Sequence, residues 1–158
     1  MKKLLVILAA MAAVLAGCGG AATTTSDDGV TVLVTGAHSG LKDQIEEQYH
    51  DQDAFKKIWD MVYEGQKDEP APPAVDFTKQ TVVVYGLGEM KHGGFAVRVK
   101  RADATAGGFA VGILVIEPGQ NCHNATMETT HPFIVATVPT SSNIAFDEVV
   151  KRDTPPCT

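Results

Sequence analysis

The sequence predicts a mainly β fold of the β-rich α+β kind: an antiparallel sandwich or open barrel of about six or seven strands with one packed amphipathic helix. Two observations carry that prediction. Between Thr81 and Val99 a β-branched apolar run, Thr81-Val82-Val83-Val84-Tyr85, enters a glycine-rich bend and leaves as a strand with clean alternation. In that second strand Phe95, Val97 and Val99 point one way and Ala96, Arg98 and Lys100 the other. Everything C-terminal to this stretch reads as more strands of the same sheet. The second observation is that a single segment, Asp51 to Tyr63, repeats its apolar residues at helical spacing.

The first seventeen residues stand apart from the fold. Met1-Lys2-Lys3 is basic, and Leu4 to Leu15 is an uncharged apolar run, too short for a permanent transmembrane helix and of signal-peptide size. Leu15-Ala16-Gly17-Cys18 resembles the bacterial lipobox, in which cleavage precedes the cysteine and the cysteine is lipid-modified. The alternative is an ordinary signal peptide with a chance cysteine. More than one acyl chain on Cys18 would suffice for stable anchoring. Gly19, in place of an aspartate, fits transfer to an outer membrane. The expected location is therefore the cell envelope, lipid-anchored through Cys18 and facing periplasm or surface. Removal of Lys2 and Lys3 with the leader takes the formal charge from −6 to about −8, which argues against nucleic acid or anionic lipid as partners.

Once Cys18 is assigned to lipid, Cys122 and Cys157 form the remaining pair in an exported domain, and a disulfide between them is expected. In the chain-entropy account that loop is worth about 3.5–4 kcal/mol. Two free thiols or a metal pair are the competing readings, and the wide spacing carries no ligand pattern.

Residues 18–29, rich in Gly, Ala, Thr and Asp, read as a flexible tether, and 30–158 as one domain. Val30 to Thr35 alternates as a first strand. Thr35-Gly36-Ala37-His38-Ser39-Gly40 looks in isolation like the nucleotide loop of short-chain dehydrogenases, and Tyr63 and Lys67 supply a Tyr-x-x-x-Lys. That reading fails. The third glycine position is Lys42, the Tyr and Lys straddle Gly65, and alternating strand–helix units are missing. Ser39 is also one place off a Gly-x-Ser-x-Gly elbow. The loop is read as a turn.

In the helix, Phe55, Ile58, Trp59 and Val62 occupy one face and Lys56, Lys57, Asp60 and Glu64 the other. Asp51 or Asp53 caps its start, Gly65 closes it, and Trp59 is the anchor to the sheet. Gln66 to Pro73 is a proline-rich connector. Gly-Gly-Phe-Ala-Val occurs at Gly93–Val97 and again at Gly107–Val111, which predicts a hairpin turning over Asp103 to Gly107. A long polar loop from Pro118 to Thr130 precedes a strand from His131 to Val138, stopped by Pro139, and a short last strand covers Ile144 to Phe146.

Chemistry-bearing residues do not assemble in the sequence. Five histidines, His38, His50, His92, His123 and His131, have no ligand spacing, and no nucleophile–base set stands out, so no metal, cofactor or catalytic residue is expected.

Taken in order, Val75-Asp76-Phe77, the strand after it, Gly86-Leu87-Gly88, Gly93-Gly94-Phe95-Ala96-Val97, Pro118-Gly119 and Thr130-His131-Pro132-Phe133 carry a resemblance. Over Ser39 to Phe146 the chain resembles the C-terminal domain of PrcB-type protease-complex subunits, departing at His92, where threonine is frequent. The resemblance implies an exported or lipid-anchored accessory protein that associates with a protease and has no catalytic role. The expected contact comprises Glu89, His92, Gly93, Gly94, Phe95, Thr130, Pro132 and Phe133, since backbone approaches closely at a Gly-Gly pair; a tight bend alone is the competing explanation for those glycines. Two other functions compete. The Gly-Gly-Phe and His-Pro-Phe elements resemble loops of chagasin-like protease inhibitors, and His92, His123 and His131 offer polar groups for a small-ligand binder or enzyme.

Overall fold

The computed structural model describes residues 24–25, 29–119, 127–139 and 143–152; the leader, Cys18, Cys122, His123 and Cys157 lie outside them. Among the described residues the order is β1 (Thr24–Thr25), β2 (Thr31–Gly36), β3 (Ile45–Tyr49), α1 (Gln52–Val62), β4 (Gln80–Gly86), β5 (Ala96–Thr105), β6 (Gly108–Glu117), β7 (Phe133–Pro139) and β8 (Ile144–Arg152). Two sheets result, one of five strands in the order β1-β2-β7-β4-β3 and one of three in the order β5-β6-β8. No barrel closes among these residues. The strand-rich sandwich with one helix is as the sequence predicts.

The apolar runs of β4 and β7 are continuous because the five-stranded sheet is covered on both faces. Alternation then sorts residues into two cores. Val83 and Tyr85 of β4 and Ile134, Ala136 and Val138 of β7 pack with Val97, Val111, Ile113, Val115 and Ile144 of the other sheet. Val82 and Val84, with Phe133 and Val135, pack instead against Phe55, Ile58, Trp59 and Val62 of α1. The order of layers is thus three-stranded sheet, five-stranded sheet, helix.

Asp51 caps α1, its carboxylate accepting from the Ala54 N–H at 2.8 Å. The last turn ends at Tyr63, and Gly65 takes the left-handed conformation at φ 81°. Trp59 is 3 % exposed and donates from Nε1 to the Pro70 carbonyl at 2.7 Å. It anchors the helix and also fastens the proline-rich connector.

Two expectations are corrected. β4 and β5 belong to different sheets, so the bend between them carries the chain across the sandwich instead of folding it back within one sheet. The last strand runs on to Arg152 and pairs with β6 in parallel. Between β6 and β8 the chain crosses to the five-stranded sheet as β7, and its return sets β8 in the direction of β6; the remaining pairings are antiparallel. Inside the expected tether, Thr24 and Thr25 pair with Val32 and Thr31. The predicted β5–β6 hairpin is present, with Thr105 opposite Gly108. β3, Ile45-Glu46-Glu47-Gln48-Tyr49, has no apolar alternation and was not anticipated.

Candidate functional site

The bend from Leu87 to Phe95 is held between two other segments by backbone hydrogen bonds. Leu87 N–H donates to the Pro132 carbonyl at 2.9 Å and Glu89 N–H to the Lys42 carbonyl at 3.0 Å. Met90 and Thr130 exchange both backbone bonds, at 2.8 and 2.9 Å. The Thr130 hydroxyl donates to the His92 carbonyl at 3.1 Å. Behind them, His131 N–H donates to Ala37 at 2.8 Å, and the Ser39 hydroxyl returns a bond to the His131 carbonyl at 2.9 Å. Gly88 completes the brace. Its φ is 72°, and a Cβ there would lie 2.8–2.9 Å from the backbone of Lys42, Asp43 and Gln44; only glycine fits both constraints.

Of the eight residues expected at a contact, this bracing leaves four with accessible surface. Glu89 and Gly94 are exposed, and His92 and Phe95 are half-buried with their rings tilted by 31° and their centroids 5.2 Å apart. Gly94 has φ 91°, so the exposed tip also depends on glycine. Thr130 (3 % exposed), Phe133 (2 %), Pro132 and Gly93 are inside the fold. Thr130 is buried because its hydroxyl serves the bend, and Phe133 because it fills the helix-side core. The His-Pro-Phe element therefore presents no loop to a partner.

His131 lies behind Glu89. Its Nε2 is buried without a hydrogen-bond partner among the described residues and sits 3.9 Å from Glu89 Oε2, too far for a bond but close enough for attraction when the imidazole is charged. His92 and His131 are brought to the same end, whereas His123 is outside the described residues. Among those residues no group of three or more His, Cys, Asp or Glu side chains is gathered to hold a metal.

A pocket of about 260 Å³ opens next to Phe95, between the end of β2 and the start of β5. It is lined by Thr35, Gly36, Ala37, Phe95, Val97 and Arg98 and contains no carboxylate, imidazole or thiol to serve as acid, base or nucleophile. The Thr35 hydroxyl lies 2.9 Å from the Phe133 carbonyl and 3.2 Å from that of Val97, tying the two sheets at this seam. The neighbouring loop does not suit a phosphate either. Gly40 N–H donates to Val62 O at 3.0 Å, and a Cβ on Gly40 would lie 2.3 Å from Met61 O. The loop thus abuts the helix C-terminus, the negative end of its dipole.

Sequence reasoning missed Ser39 and Lys42 as supports of the bend. Ser39 acts through its hydroxyl and Lys42 through its carbonyl, and a backbone carbonyl leaves no mark in residue type.

Among the described residues no helix is long and apolar enough to cross a membrane. The class defined here is a strand-rich two-sheet domain whose sheets are joined by a braced, partly exposed bend. Residues 81–139, running from β4 through β7, match the family model described as PrcB C-terminal. Over this segment the chain is similar to PrcB-type C-terminal domains. The match is narrower than the expected Ser39–Phe146 and leaves α1, β2, β3 and β8 outside it. Neither curated proteins nor solved structures give a match.

Proposed function

We propose that this protein is a non-catalytic accessory module of the bacterial cell envelope, anchored by lipid on Cys18, that binds a protease of the same compartment through Glu89, His92, Gly94 and Phe95. The observation that carries the proposal is the PrcB-type match over the segment that contains the bend. Rigid bracing of that bend supports it, since a preorganised loop loses little entropy on binding. A photo-crosslinker placed at Glu89 in the native envelope should capture a protease, and one on the far face of α1, at Lys57, should not. Equal capture at both positions, or capture of no protease at Glu89, overturns the assignment. Adding the purified protein to that protease separates the accessory role from inhibition, because an inhibitor lowers turnover.

The Cys122–Cys157 bridge is part of the same proposal. In the parallel pairing of β6 and β8, Glu117 stands opposite Arg152 at one end of the sheet. Each cysteine follows its strand end by five residues, and five residues reach at most about 17 Å. Both strands finish at the same end of the sheet and the two segments have equal reach, so closure is within range. Alkylation without reductant should leave both cysteines unmodified; two alkylated thiols overturn the bridge.

A further inference from the structure

We propose that two copies of this chain pair through β8, antiparallel and edge to edge, so that their three-stranded sheets join into one. β8 is nine residues long and lies at the margin of its sheet, with no strand on its outer side among the described residues. Such an edge is a template for another strand. It also exposes apolar surface, Val149 at 43 % and Val150 at 51 %.

The direction of its side chains limits the pairing to registers with the axis on a residue, and the charge order selects among them. The even-numbered residues from Ile144 to Glu148 point toward the other sheet: Ile144 is buried, Phe146 packs against the inter-sheet cluster, and Glu148 accepts from the Tyr85 hydroxyl. Odd-numbered residues face outward, and Asp147 takes a bond from Arg101 at 2.9 Å, reaching over Gly112. Two edge strands related by a two-fold axis through a continuous sheet must set residues of the same face opposite each other. An axis at Val149 satisfies this. Val149 then meets Val149 of the second copy, and Asp147 meets the second copy's Lys151 on either side.

The charge order is what points to a second copy as the occupant. An edge guarded by lysines alone would repel its own image. Here acid precedes Val149 and base follows it, Asp147-Glu148-Val149-Val150-Lys151-Arg152, so antiparallel reversal brings opposite charges together. β8 is separated from β5 by β6, so the pairing leaves the bend and its proposed partner site free. The proposal does not rest on that reading.

The test uses full-length protein in detergent at large micelle excess. Val149→Cys, on the axis, should yield a disulfide-linked dimer under mild oxidation, whereas Ala145→Cys, on the same face but off the axis, should stay unlinked. Lys151→Asp and Asp147→Lys should each weaken self-association roughly tenfold or more, and an equal mixture of the two variants should recover it as a heterodimer. A monomer at about 100 μM by sedimentation equilibrium, equal linkage at both cysteines, or a mixture no stronger than its components overturns the proposal. Should Asp147→Lys fail to fold for want of its Arg101 partner, Lys151→Asp and the cysteine pair still decide it.

Discussion

The two faces of the five-stranded sheet are covered by unlike materials. The helix side is aromatic and local. Its rings meet edge-on or tilted, Phe55 with Trp59 at 5.6 Å, Phe55 with Phe77 at 6.3 Å and Trp59 with Tyr63 at 5.0 Å, and its covering residues come from one run of chain. The opposite side is mostly aliphatic and is gathered from β5, β6 and β8, which enter from both sides of β7 in sequence. A cover supplied by one continuous segment can open by itself, whereas one assembled across the chain opens only when the fold does.

The largest test breaks each cover in turn. Phe55 is fully buried, and Phe55→Ala should cost about 3–5 kcal/mol; Ile113→Ala on the other side should cost about 2–5 kcal/mol. Denaturant unfolding gives the two losses, and hydrogen exchange gives the distinction. Phe55→Ala should speed exchange first in α1 while β6 stays protected, whereas Ile113→Ala should speed both together. Uniform acceleration in Phe55→Ala would mean that the helix is no separate unit.

A smaller effect is expected where the helix cover is latched. Gly40 touches the end of α1 so closely that an added Cβ would fall 2.8 Å from Glu64 Cβ and nearer still to the Met61 carbonyl. Gly40→Ala should therefore push the helix end outward at a cost of about 1–3 kcal/mol. An unchanged melting temperature would show that the loop, not the helix, gives way.

The same contrast decides what could be read from the sequence. The helix cover was legible because its period is local: Phe55, Ile58, Trp59 and Val62 declare one face, and Asp51 declares the cap. Strands β4 and β7 were legible because unbroken Val, Ile and Phe runs fit strands closed on both faces. The division into two sheets was not, since no residue type says which strand lies next to which. β3 was missed because Glu46 and Glu47 interrupt any alternation on an edge strand. At the bend the glycines were visible, but whether they served a partner or the fold depended on the backbone of residues 42–44, which touches Gly88 only in three dimensions. Thr130 likewise gave no signal that its hydroxyl would be spent internally.

On the sheet side, Tyr85 is 1 % exposed, and its hydroxyl reaches Glu148 of the opposite sheet. Burial, then the hydrogen bond and negative charge of Glu148, raise its ionisation above the ordinary tyrosine range. The folded state thus favours the neutral phenol, so this contribution is complete below about pH 10 and declines as pH rises toward the folded value. Tyr49, raised by burial and Glu47, has the same sign. Tyr85→Phe should cost about 0.5–1.5 kcal/mol at neutral pH and should flatten part of the alkaline fall in stability. A fall of unchanged steepness would assign it to other raised groups, Tyr49 and Tyr63 among them.

The helix side also carries a dependence of opposite sign, on the acid limb, and it should be the weakest effect. Asp76 sits between Val75 and Phe77, which pack against the helix-side cluster, and its carboxylate accepts from the Thr78 hydroxyl and N–H and pairs with Lys79 at 3.1 Å. Those bonds, the Thr78 hydroxyl foremost, hold its ionisation below the ordinary aspartate value. A depressed acid stabilises the fold above its unfolded value, near pH 4, and that contribution is lost as pH falls through the folded one. Because the group is exposed, solvent screens the effect. Asp76→Asn should therefore lower the melting temperature slightly at pH 7, with the difference closing as pH falls below about 4 and gone in strong acid. A difference that persists in strong acid would mean that the turn, and not the charge, fastens the connector to the helix.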